Sequence, residues 1–530
     1  MQSGLFRLPI YILSLFLGRT LDNSEVDFPP LRKGIVPLTS PAASSTIRRF
    51  RRPAQDPCRL DTQSSAHPIC TLILKENDMA RQSATEHNPP GTSTVDSGVP
   101  APASMPRVAI ASLVGTVIEY YDLHIFGTAA ALVFPHVFFP NLGAAAGIMM
   151  SFATLGVAFV ARPLGSVIFG HFGDRLGRKK ILSITMLIMG LGTFLIGVMP
   201  TAAQIGFIAP LLVVILRIMQ GLAAGGEWAG AVLVGAENAP SNKRGLWSVF
   251  PILGGGLAIA LANLTFLGTA LLMSDEDFAA WGWRLPFLAS IVLVIIGMWV
   301  RLKLDETPVF KKEVQSRGTA KVPLAEAFRR QPRELLLATG VAMATAYVLA
   351  YIAGPYMTSY GTNTLGYDRI FVLSVAAVGG LAVGGGAVLG AVISDSVGRR
   401  RVIMTAIGIG ALWSLVLFPL VDTASKVVFA TAVPLTMFIC GVSAGPVGAF
   451  FSELFDTRYR YTAAGFTYSL GGILGGALPP LFAAAITAAY GGWVFGLLLA
   501  GLCLIGALCA YASKETRSDS LDNVVPDSGN

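Results

Sequence analysis

Gly173-Asp174-Arg175-Leu176-Gly177-Arg178-Lys179-Lys180 and Ser394-Asp395-Ser396-Val397-Gly398-Arg399-Arg400-Arg401 are two versions of one loop, and each follows a long apolar run. Both carry Asp-x-x-Gly-Arg with two further bases behind it. A second related pair lies farther along each copy, where Glu237 and Glu453 each have an arginine seven residues on, Arg244 and Arg460. Corresponding loops at corresponding places mark two equivalent halves, which is the sequence trace of a parallel repeat in a membrane carrier with its solute path between the halves.

Outward from these loops, apolar runs recur from Val108 onward, each of about 20 residues and so long enough to cross a hydrocarbon core of about 30 Å as a helix. The predicted spans are 108–134, 146–170, 181–199, 205–236, 246–272, 284–304, 334–360, 370–394, 402–421, 427–453, 463–489 and 492–512. A β-barrel would show weak alternation in segments of about ten residues, and these continuous Leu/Ala/Gly/Val runs do not. The fold expected is therefore an all-α membrane protein of twelve transmembrane helices in two six-helix bundles.

Charge gives the direction. Bases follow spans two (Arg175, Arg178, Lys179, Lys180), four (Lys243, Arg244), eight (Arg399, Arg400, Arg401) and ten (Arg458, Arg460), whereas the loop after span five, Ser274-Asp275-Glu276-Asp277, is acidic. By the positive-inside rule the even-numbered loops and both termini are cytoplasmic. The long basic loop 305–333 separates an N-terminal bundle, 105–304, from a C-terminal bundle, 334–512, and a polar cytoplasmic tail covers 513–530.

With 53% hydrophobic and 13% charged residues and a mean hydropathy of +0.63, most of the chain has lipid as its solvent. The net charge of +8 lies between apolar runs, where it sets topology and gives no reason to expect nucleic acid. Five cysteines, Cys58, Cys70, Cys440, Cys503 and Cys509, have no metal-ligand spacing, so neither a metal site nor a disulfide is expected. Residues 1–104 form an extension, rich from residue 18 in Ser, Pro, Thr and Asp, that is expected to be disordered. Its apolar stretch Leu8 to Leu17 is too short to span and lacks a small-residue cleavage site. Met79 opens a plain polar lead-in to span one, and is an alternative start.

The loop Gly173 to Lys180, with its weaker copy, resembles the cytoplasmic signature of the major facilitator superfamily. More narrowly, Glu119-Tyr120-Tyr121-Asp122, Arg162-Pro163-Leu164-Gly165, Gln220-Gly221 with Gly225-Gly226-Glu227, Lys243-Arg244-Gly245, and Trp281-Gly282-Trp283-Arg284-Leu285-Pro286-Phe287 are similar to the metabolite:proton symporter family, over residues 105–515. The resemblance implies import of osmolytes such as proline and betaine or of carboxylates such as shikimate, 2-oxoglutarate and citrate. Glu306-Thr307-Pro308 and Arg460-Tyr461-Thr462-Ala463-Ala464-Gly465 look more like the shikimate-type branch, and the extended C-terminal coiled coil of osmosensing members is missing. The resemblance also makes Asp174, Arg175, Gly177, Arg178, Asp395, Gly398 and Arg399 a gating latch, although the bases alone also serve topology.

An ionisable residue inside a span is a functional-site hypothesis by default. Counting about 1.5 Å per residue puts Glu119 roughly 18 Å and Asp122 roughly 22 Å into span one from the cytoplasm, and Arg217 some 16 Å into span four from the other side. These depths coincide. Arg217 paired with Glu119 or Asp122 is the coupling candidate, because drawing the guanidinium toward an anionic solute leaves a buried carboxylate free to take a proton. A static ion pair is the alternative. Glu227 is a further proton site or a partner of Arg162. Arg162, read as late in span two, either contacts substrate or packs and snorkels at the helix end. His124 is a relay or simply a hydrogen-bonded helix residue. In span seven, Tyr347 and Tyr351 share a face and can offer hydroxyls, as can Tyr120, while Pro355 is a hinge and Tyr360 an interface anchor.

No Walker motif, Gly-x-Ser-x-Gly or His-Glu-x-x-His occurs, and no catalytic set is found, so an enzyme is not expected. The expectation is a secondary transporter in the plasma membrane, importing a small organic acid or zwitterion with protons by alternating access. Its partners are the lipid bilayer, the small-molecule substrate and protons; it uses no cofactor beyond the proton gradient, and the functional unit is a monomer. An exporter or uncoupled facilitator on the same fold, or a non-transporting receptor, are the alternatives.

Overall fold

Lipid offers no hydrogen bonds to a peptide group, so each crossing segment must satisfy its own backbone, and the described residues are helical throughout with no strand. The computed structural model describes residues 105–176, 178–225, 227–237, 239–303 and 323–517. The N-terminal extension with Met79, Gly177, Glu306-Thr307-Pro308, and the side chains of Asp174, Arg175 and Arg178 lie outside the described residues. Ten segments among those described are long and apolar enough to cross a membrane. Two more complete the twelve: Met105–Leu132, which carries Glu119 and Asp122, and Arg178–Val198, whose apolar part is Ser183–Val198.

In chain order the remaining spans are two (Ala144–Leu176), four (Ile208–Ala224 continued by Glu227–Glu237), five (Phe250–Leu272), six (Leu285–Lys303), seven (Pro332–Thr364), eight (Arg369–Val397), nine (Arg399–Val421), ten (Lys426–Leu454), eleven (Arg460–Tyr490) and twelve (Gly492–Ala512). Residues 323–330, inside the expected linker, form a helix that rests Phe328 on Phe466 of span eleven, ring centroids 5.5 Å apart.

The two halves repeat at the level of backbone contact. Spans two and four cross so closely that a methyl group at Gly221 or Gly225 would overlap the carbonyl oxygens of Ala158 or Arg162. Spans eight and ten cross in the same way, with Gly441 and Gly445 against the carbonyls of Val383 and Ala387. Small residues permit this approach where helices have little hydrophobic drive to associate. Just past each crossing the helix is interrupted, at Gly225 in span four and at Gly445-Pro446 in span ten.

Span seven departs from a regular α-helix more than any sequence pattern suggests. Three stretches, Met343–Val348, Ile352–Tyr356 and Tyr360–Thr364, are π-helical, and Pro355 lies in the middle one. Such widened turns expose backbone and re-aim side chains, and they are frequent at functional sites. Span eleven carries one more, Ile473–Ala477, directly against the first: Gly475 faces Met343 and Tyr347.

The motif before span six has a packing role. Trp283 is fully buried, edge-on to Phe134 (5.9 Å), Phe138 (6.0 Å) and Phe287 (5.9 Å), while Arg284 donates to the carbonyl of Met199 at 3.2 Å. These contacts tie spans one, three and six together at the end bearing the acidic loop.

Candidate functional site

Polar side chains from both halves converge where spans one, two, four, seven and eleven meet. Tyr120 and Tyr468 share a hydrogen bond across the halves, O to O 3.2 Å. Trp228, next after Glu227 at the restart of span four, lies flat on Tyr468 with centroids 3.5 Å apart. Tyr347 stands 5.0 Å from Tyr468 and 6.0 Å from Tyr351, and His124 is held between Tyr120 (6.1 Å) and Tyr351 (6.3 Å). The sequence reading missed Trp228 and Tyr468, which are uncharged and sit in apolar runs.

Two guanidinium groups complete the cluster. Arg217, 2% exposed, lies 3.9 Å over the Phe126 ring and donates to Gln220 Oε1 at 3.2 Å. Gln220 in turn donates to Thr193 Oγ1 at 2.7 Å and so is fixed from span three. Arg162, 7% exposed, lies 4.7 Å over Phe159 and within electrostatic reach of Tyr347, Tyr351, Tyr120 and Glu119. Span two runs on to Leu176, well past its apolar stretch, so Arg162 sits far inside the helix rather than at a snorkelling end. The two guanidinium groups lie within electrostatic reach of each other. Arg162 Nε and both Arg217 Nε and Nη2 are buried without a hydrogen-bond partner. Buried, unmatched donors on a cation are costly, and an anion placed between these groups would satisfy them.

Among the acids, Asp122 is buried beside Arg217, Thr193 and Glu119, so it shares the arginine's surroundings. Glu119, also buried, neighbours Asp122, Tyr120 and Arg162. Glu227 is 3% exposed at the restart of span four. The Tyr360 hydroxyl donates to Asp422 Oδ1 at 2.6 Å, at the exposed end of span nine.

Beneath the cluster, the basic loops form a set of ion pairs whose charges cross between halves. Arg244 meets Glu453 at 3.7 Å, and Arg460 meets Glu237 at 3.5 Å, so each arginine of the repeat is bound to the acid of the other half. Glu453, whose side chain is fully buried, also takes Arg399 at 3.3 Å and the hydroxyl of Thr516 at 2.8 Å. Asp395 pairs with Arg399 at 2.7 Å and accepts the backbone N–H groups of Gly245 (2.9 Å) and Leu246 (3.0 Å). A carboxylate at the exposed N–H groups of a helix start is favourable, which explains why this loop needs an acid and not only bases. Gly398 ends span eight at φ +114°, a conformation open mainly to glycine, and a side chain there would strike Glu515. Asp395, Gly398 and Arg399 are thus assembled in one place.

The opposite face is bridged too. Arg369, at the start of span eight, meets Asp275 at 2.7 Å and lies 3.8 Å over Phe278. Asn363 of span seven donates to the carbonyl of Ala131 at 3.4 Å. Asp275 is almost wholly exposed, and exposed ion pairs contribute little. Asp275→Asn is therefore expected to change initial transport rate by less than about threefold, a difference that high salt removes; a large, salt-insensitive loss would contradict this.

Comparison with known proteins accords with this architecture. The family model described as Major Facilitator Superfamily matches residues 112–480. The chain belongs to the major facilitator superfamily. Within the superfamily it is 41% identical to the inner membrane metabolite transport protein YhjE of Escherichia coli, over 78% of this chain and 95% of that one. It is 39% identical to the shikimate transporter of the same organism (78% and 95%), and 31% to a proline/betaine transporter of Salmonella typhimurium (79% and 85%). The proton:xylose symporter XylE bound to 6-bromo-6-deoxy-D-glucose superposes with a TM-score of 0.61 at 16% identity, covering 79% of this chain and 97% of XylE, which establishes the shared fold. The protein is thus a member of a superfamily of multi-pass membrane transporters rather than of enzymes.

Proposed function

We propose that the protein imports a small organic acid, or a zwitterion carrying a carboxylate, together with a proton. The observation that carries this reading is the pair of buried arginines, Arg162 and Arg217, with three nitrogen donors unmatched among tyrosines from both halves. A carboxylate held between them matches the fork geometry of guanidinium, and rings of Tyr120, Tyr347, Tyr351 and Tyr468 border the remaining space. Two relatives, a shikimate transporter and a proline/betaine transporter, carry solutes of this kind.

Coupling follows from Asp122 and Glu119. With the solute absent, Arg217 stabilises the ionised form of its neighbour Asp122; when the solute engages Arg217, that help is withdrawn and a proton takes its place. Glu227, near the gate, is the proton's onward site. In this reading the basic face and both termini are cytoplasmic, the membrane is the plasma membrane, and one chain is the working unit. Rocking of the halves breaks the gate at Glu453 and the outer bridge at Arg369 in alternation.

Uptake into proteoliposomes under an imposed pH gradient, across a panel of labelled organic acids and betaines, tests the proposal. Acid outside is expected to drive accumulation of at least one acid. The double change Glu119→Gln with Asp122→Asn is expected to abolish gradient-driven accumulation while exchange of internal for external solute persists. Accumulation that survives both changes would refute proton coupling through this pair.

A further inference from the structure

The three consecutive arginines after span eight point to three different places. Arg399 is buried in the gate, and Arg400 lies over Tyr511 of span twelve at 5.1 Å. Arg401 takes part in neither of these contacts. It stands at the junction of two hollows. One, of about 470 Å³, is bounded by Val397, Gly398, Arg401, Glu515 and Arg517 on the basic face. The other is a trough of about 810 Å³ on the outer, lipid-facing side of spans eight, nine and ten, and it is apolar along its length from Val397 through Ile393, Ile409, Leu412 and Ile439. Val397 and Arg401 line both, so the two hollows meet at these residues.

We infer that this site binds one anionic phospholipid of the leaflet on the basic face, with its phosphate between Arg401 and Arg517 and an acyl chain in the trough. Charge complementarity supports the headgroup end. Arg517 rests one guanidinium nitrogen on the carbonyl of Ser396, which holds its charge over the smaller hollow. The remaining charge there, Glu515, already accepts the backbone N–H groups of Arg399 (2.8 Å), Thr516 (3.1 Å) and Arg517 (3.3 Å). Two guanidinium groups therefore stand against one carboxylate, whose Oε1 takes all three of these bonds and whose Oε2 has no hydrogen-bond partner. Depth supports the acyl end. From Arg401 to Leu412 the trough descends about 17 Å at helical rise, close to the half-thickness of the hydrocarbon core. The polar edge of Trp413, which also lines the trough, is not presented to the chain, since its Nε1 donates to Thr436 Oγ1 at 2.7 Å.

This site is separate from the solute cluster but adjoins the gate, because Gly398 and Glu515 belong to both. An occupied site would hold Arg517, and with it the neighbouring Thr516 on Glu453.

The test uses the full chain, equilibrated with phosphatidylglycerol and phosphatidylcholine and weighed intact by native mass spectrometry. One phosphatidylglycerol is expected to remain bound under conditions that strip phosphatidylcholine. Arg401→Ala with Arg517→Ala is expected to weaken that binding about thirtyfold, the effect of two arginines near a membrane surface. Ile439→Trp, which fills the trough and leaves both arginines, is expected to lower it as well, and millimolar inorganic phosphate is expected to leave it unchanged. Equal retention of phosphatidylglycerol by wild type and the double variant would overturn the inference. Displacement by inorganic phosphate would overturn it in favour of a free-anion site, and a change of oligomeric mass in Ile439→Trp with lipid retention unaltered would overturn it in favour of a second copy of the chain.

Discussion

Arg217→Ala is expected to lower the initial rate of solute uptake by at least about two orders of magnitude, because removing one member of a buried charge group leaves its partner uncompensated at about 3–5 kcal/mol. Asp122 is buried within electrostatic reach of Arg217, and a solute carboxylate bound as proposed would lose one of its two guanidinium contacts at the same time. Arg217→Lys separates these contributions. It restores a positive charge but not the planar group that lies over Phe126 and reaches Gln220, so it is expected to recover binding only partly. Purified protein with an unchanged melting temperature and a lost rate would place the defect in the site. Wild-type uptake by Arg217→Ala, at normal protein level, would show that the arginine is no part of it.

The second large effect is expected at Glu453. Its carboxylate is the common partner of Arg244, Arg399 and Thr516, with the side chain fully buried. Glu453→Gln removes the buried anion that Arg244 and Arg399 share, leaving Arg399 with Asp395, whereas opening lets water reach these groups. The closed state is thereby disfavoured by about 3 kcal/mol, which moves the closed-to-open ratio by roughly a hundredfold. A cysteine introduced at Val232, buried behind the gate, in an otherwise cysteine-free chain reports this directly. Its reaction with an impermeant thiol reagent applied from the basic face is expected to accelerate strongly. Glu237→Gln is expected to act in the same direction but less, since the Glu237 side chain is 28% exposed and already partly hydrated. If both changes leave the reaction rate as it was, the gate is not held by these pairs.

Much of this architecture is legible in the amino acids because lipid imposes few solutions: apolar runs must be helices, and bases collect at their ends. What lies beyond that was legible only in part. Hydropathy marks where composition changes, not where a helix stops, so Arg162 reads as a residue near the end of span two when the helix continues to Leu176. The Glu-to-Arg spacing of seven residues is visible as a repeat, but nothing in it tells that Arg244 answers Glu453 and Arg460 answers Glu237, because partner choice is set by how the halves face each other. The π-helical turns of span seven have no side-chain signature apart from Pro355. Trp228 and Tyr468 carry no charge, so a search for ionisable residues in the membrane passes over them, although their stacking joins the two halves at the centre of the cluster.

The crossed ion pairs also bear on how the chain is made. Arg244 and Glu237 enter the membrane with the first six spans, while Glu453 and Arg460 follow only after some two hundred more residues have been synthesised. Until then the cross-half contacts of Arg244 and Glu237 cannot form. The last helices to be inserted thus deliver the charges that join the two halves at their basic end.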